Sequence, residues 1–92
     1  MATAEERIRA AIKKIAQHPR SVPFSEIEWV MTHLKEDLGY DVRRTGGNQH
    51  YTYVVQHLRP FQVCDHHPGS AQLKVAYVKG FLGRMIELGL YE

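Results

Sequence analysis

"RRTGGNQHYTYV", residues 43–54, decides how this chain is read. Upstream of it apolar residues recur at helical spacing; within it they begin to alternate. Gly46, Gly47 and Asn48 adopt positive φ at little cost, which predicts a hairpin turn there. "YDVRRT" before the turn and "QHYTYVVQH" after it read as its two strands. Alternation then assigns faces. Tyr40 and Val42, with Tyr51, Tyr53 and Val55, form the apolar set, and Arg43, Thr45, His50 and Thr52 fall opposite. Val54 breaks the polarity of that second face, and a slip of one residue would exchange the two.

Working outward, "PFQVCDH" predicts a third, antiparallel strand. Pro60 suits its start because proline has no N–H to donate to a ladder. Phe61 and Val63 extend the apolar face; Gln62, Cys64 and His66 extend the polar one. On the N-terminal side, "TAEERIRAAIKKIAQHP" reads as a helix. Thr3 and Glu6 make a capping box, Ile8, Ile12 and Ile15 with Ala11 and Ala16 form a stripe, and Pro19 ends it. "SEIEWVMTHLKEDLG" reads as a second helix, with a Ser25–Glu28 capping box, a left-handed stop at Gly39, and Ile27, Val30, Met31, Leu34 and Leu38 buried. Trp29 falls at the margin of that stripe.

The last element, "LKVAYVKGFLGRMIELGL", predicts a third helix closed by Gly89. Val75, Val78, Leu82 and Ile86 line one side, widened by Tyr77, Phe81, Met85 and Leu88. Gly80 and Gly83 inside it each cost ~1 kcal/mol relative to alanine, a cost that close approach to a neighbour would explain. The expected fold is α+β: helices stacked on one face of a three-stranded antiparallel meander, in one domain covering residues 1–92.

Size and composition narrow the function. A 92-residue chain buries only roughly 60–65% of its unfolded surface, so a site is expected in a groove or on an open face. No apolar run approaches the ~20 residues of a membrane span. "MATAEERIRAA" lacks the order of a signal peptide, and a single cysteine excludes an internal disulfide framework. A cytoplasmic protein without a membrane partner is expected. Residues 1–39 balance six basic against six acidic side chains, whereas residues 42–59 hold three arginines and no acid. That local excess fits phosphate as well as a solvated strand.

"HPRSVPFSEIEWVMTHLKEDLGYDVRRTGGNQHYTYV" followed by "HPGSAQLKVAYVKGFLGRMIELGL" resembles the HicA/YcfA-like toxin family over about residues 18–91. The segment 3–17 is an additional N-terminal helix ahead of a HicA-like core at 24–91. The resemblance implies a fold like a double-stranded RNA-binding domain and the activity of a messenger-RNA endonuclease, an mRNA interferase of a toxin–antitoxin system. It also implies neutralisation by a HicB-like antitoxin. The family's active histidine follows the first strand's arginines in a Gly-Ser-His-His or Gly-x-Gly-Asp-His motif. Aligned without a gap, this chain has Gln49 at that position. With one more residue in the turn His50 takes it, and "HYTY" then matches the strand better, so the second alignment is preferred.

The chemistry allows the same role without a metal or other cofactor. RNA is cut when a base activates its 2′-hydroxyl towards the neighbouring phosphate, and histidine titrates in the right range. Arginine or lysine supplies the compensating charge. The candidate catalytic residue is His50. The candidate RNA contacts are Arg43, Arg44, Thr45, Gly47, Asn48, Gln49, Lys74 and Lys79, with Arg43 and Thr45 expected near His50 across the hairpin. Cys64 to His67, "CDHH", holds four possible metal ligands, but neighbours in a strand point to opposite faces and zinc motifs space their ligands more widely. It reads more simply as the way into the last helix. Two readings stand: a ribonuclease working from His50, and a non-catalytic RNA- or protein-binding module of the same fold, monomeric or a small oligomer.

Overall fold

The first helix begins where its capping residues dictate. In this computed structural model, which describes residues 2–47, 49–64 and 73–92, α1 spans Ala4–Gln17. The Thr3 hydroxyl accepts from the Glu6 N–H, and the Glu6 carboxylate accepts from the Thr3 N–H, so two otherwise orphaned donors are satisfied. Ile8, Ile12 and Ile15 are its buried side.

The second helix, α2 (Phe24–Leu38), starts differently from the expectation. Pro23 takes the cap position with extended backbone, no side chain caps the helix, and Ser25 already lies inside the first turn. The Ser25–Glu28 box is therefore not formed. Proline has its φ preset and loses nothing by lacking an N–H ahead of a helix. Phe24 also stacks on Tyr51 at 4.9 Å, which favours an early start, and Glu28 is used elsewhere, on Arg44. Gly39 ends the helix at φ 72°, as its sequence position predicts.

Three strands follow: β1 (Val42–Gly47), β2 (His50–Val55) and β3 (Phe61–Cys64). They form one antiparallel sheet in the order β1-β2-β3. The expected faces hold. Val42, Tyr53, Val55, Phe61 and Val63 are buried, while Arg43, Thr45, His50 and Gln62 are exposed. The turn differs. Gly46 and Gly47 belong to β1, pairing Tyr51 and His50, so the connection is residues 48–49, with Gln49 at φ 72°.

Helix α3 (Val75–Glu87) closes the core through Val78, Phe81 and Met85. This buried stripe lies to one side of the expected one, and Ile86, expected inside, is 52% exposed. The aromatic contact decides the rotation: Phe81 meets Phe61 edge-on, with ring centres 5.9 Å apart. Gly80 faces the same residue, where an added Cβ would lie 3.8 Å from that of Phe61, an ordinary contact. Helix α2 packs on β1, α3 on β3, and α1 against both α2 and α3. Together they bury one apolar cluster, and among the described residues no polar or charged residue is buried. The architecture is α+β: two N-terminal helices, a three-stranded antiparallel sheet and a C-terminal helix.

Candidate functional site

Because the helices take one side of the sheet, the alternate strand positions form the other. Along β1 and β2 these are Arg43 opposite Val54, Thr45 opposite Thr52, and Gly47 opposite His50. Along β3 they are Gln62 beside Thr52 and Cys64 beside His50. No carboxylate occupies any of these strand positions.

His50 is the first residue of β2, at the hairpin end. Its Nδ1 lies 3.0 Å from the sulfur of Cys64, its direct partner across the β2–β3 ladder. Cys64 is only 9% exposed. The neighbouring Cys64 is the main cause that raises the phenol of Tyr77, from the first turns of α3, above the ordinary tyrosine pKa.

The other expected residues divide. Arg43 stands on the open face, 3.7 Å from Asp41, an exposed pair that neutralises part of its charge. It faces Val54, four residues along β2 from His50, which is ~13 Å at strand spacing. Arg43 and His50 are therefore not neighbours, contrary to the expectation. Thr45 is closer, opposite Thr52. Arg44 points to the helix side. It donates to Glu28 at 2.9 Å, sits 4.9 Å over the Tyr51 ring and is the ladder partner of Tyr53. Gly47 pairs with His50, Gln49 is exposed in the turn, and Asn48 lies outside the described residues.

Lys74 is the N-terminal cap residue of α3 and is exposed. It precedes Tyr77 by three residues, so the two share one side of the helix. Lys79 is two positions past Tyr77, which turns it towards the opposite side. Of the two lysines, Lys74 is the one on the Tyr77 side of α3. Of the "CDHH" run, Asp65, His66 and His67 lie outside the described residues, and no three metal-ligating side chains converge among the described ones. A shallow apolar groove between α1 and α2, lined by Ala11, Ile15 and Trp29, includes no residue of the sheet. Among the described residues no helix is long and apolar enough to cross a membrane.

Sequence reasoning placed Cys64 on the same face as His50 but did not identify their contact. Strand register carries that information, and alternation alone does not supply register. Tyr77 left no signal, because its reach to Cys64 depends on how α3 meets β3. No protein-family model, curated protein or solved structure matches the chain significantly.

Proposed function

We propose that this protein is a HicA-like RNA-binding protein that cuts messenger RNA from His50, on a fold like that of a double-stranded RNA-binding domain. The observation that carries this reading is the position of His50: exposed, at the hairpin end of the sheet face opposite the helices, with its ring held at Nδ1 by Cys64. An imidazole fixed in this way is suited to take the proton of a ribose 2′-hydroxyl. The 2′-oxygen then attacks phosphorus, the 5′-oxygen leaves and takes up a proton, and a 2′,3′-cyclic phosphate remains. Lys74, at the positive N-terminal end of α3, supplies charge for the phosphate in this reading. Arg43, Thr45 and Thr52 extend a polar track away from the reacting end. The compartment expected for such an activity is the cytoplasm, and a HicB-like antitoxin would act by covering the His50 face.

One observation favours the second reading, an RNA-binding module without cleavage. No arginine or lysine occupies a strand position next to His50; its ladder partners are Gly47 and Cys64. Both readings predict binding through phosphates, with affinity that falls steeply as salt rises. Incubation of a long single-stranded RNA with the protein in EDTA separates them. Products ending in 2′,3′-cyclic phosphate support the nuclease. Salt-dependent retention of intact RNA supports the module, and salt-insensitive behaviour with no cutting contradicts both.

A further inference from the structure

We propose that Cys64 is the positioning residue of His50: its sulfur accepts the Nδ1 hydrogen, which fixes the tautomer in which Nε2 is the proton acceptor. This rests on the reading of His50 as the base. The two residues are direct partners in the β2–β3 ladder, so the backbone sets their separation and the contact needs no long, flexible side chain. The distance from Nδ1 to Sγ is 3.0 Å.

A thiol is a weak donor and its sulfur has lone pairs that can accept, so the hydrogen of this contact is assigned to Nδ1. The hydrogen bond made by one ring nitrogen determines which nitrogen keeps the proton. Cys64 therefore does for His50 what a carboxylate does for many catalytic histidines, without adding a negative charge that would repel phosphate. Its low exposure fits a residue that acts through another rather than one that meets the substrate.

The test is the nitrogen-15 spectrum of the His50 ring, recorded at a pH where the ring is neutral, for the wild type, Cys64→Ala and Cys64→Ser. The wild type should show the Nδ1–H tautomer. Cys64→Ala should lose the preference for that form, and Cys64→Ser, which keeps an acceptor, should restore the wild-type pattern. The same tautomer in wild type and Cys64→Ala, or the Nε2–H form in the wild type, overturns the proposal. Cleavage is read in parallel, where Cys64→Ala should slow cutting by ~10²-fold through misplacement of the ring. A wild type that shows the Nδ1–H tautomer but cuts no RNA overturns the nuclease reading and leaves the positioning intact. Cutting with an unchanged tautomer overturns the positioning alone.

Discussion

A Cβ on Gly46 would stand 2.2 Å from the carbonyl oxygen of His50, and Gly46 holds φ at +100°. Both facts require glycine, and both bear on the backbone that sets the start of β2. Gly46→Ala is predicted to lose at least ~1–3 kcal/mol of stability, the range for a residue forced into a sparsely populated conformation. Gly47 has no positive φ and nothing within 4 Å of an added Cβ. Gly47→Ala should stay within ~0.5 kcal/mol of the parent. Denaturant melts of the two variants check the contrast; equal losses would contradict it.

The neighbouring arginines should separate cleanly. Arg44 is bound to Glu28 and Tyr51 on the helix side, so Arg44→Ala should lower stability by ~1 kcal/mol, the range for one exposed ion pair and one cation–π contact. Arg43 is exposed on the other face and pairs with Asp41. Arg43→Ala should leave the melt unchanged and weaken RNA retention, with a shallower dependence on salt. The opposite assignment would place the RNA track on the helix side.

Tyr53 supplies a pH signature. Burial is the main cause that raises its phenol above the ordinary value, partly offset by the Arg44 guanidinium. The fold therefore favours the neutral phenol. Its contribution is complete below the unfolded tyrosine pKa of ~10 and is lost as pH rises through the higher folded value. The wild type should lose stability above pH ~10 more steeply than Tyr53→Phe. Parallel pH curves for the two proteins would show that Tyr53 is not the group responsible.

The rotation of α3 is open to a similar pair of substitutions. Phe81 is fully buried against Phe61, whereas Ile86 is mostly exposed. Phe81→Ala should cost ~3–5 kcal/mol. Ile86→Lys should change stability by no more than ~0.5 kcal/mol. A large loss for Ile86→Lys would mean that this side chain is covered in solution.

Much of this architecture was legible because local rules dominate it. The Thr3–Glu6 box, the Gly39 stop and the alternating faces of the hairpin each depend on a few adjacent residues, and each is found where expected. The departures occur where distant contacts decide. Phe24 stacking on Tyr51 and Glu28 meeting Arg44 are absent from a helix read alone, and they replace the Ser25 box. Edge-on packing of Phe81 against Phe61 turns Ile86 outwards, although its spacing fits the stripe. At the candidate site, alternation found the face of His50 but not its neighbours. The ladder partner is Cys64, and Arg43 lies farther along the strand.

The central claim is that His50, and not Gln49, is the group that cuts RNA. Gln49 sits in the turn at φ 72° and His50 begins the strand, held by Cys64. The most direct measurement is the rate of single-stranded RNA cleavage in EDTA by the wild type, His50→Ala and Gln49→Ala, each confirmed folded by its melt. Activity in the wild type and in Gln49→Ala, with a fall of ~10²–10⁴ in His50→Ala, is the predicted result. Cleavage that survives His50→Ala, or is lost only in Gln49→Ala, would contradict it.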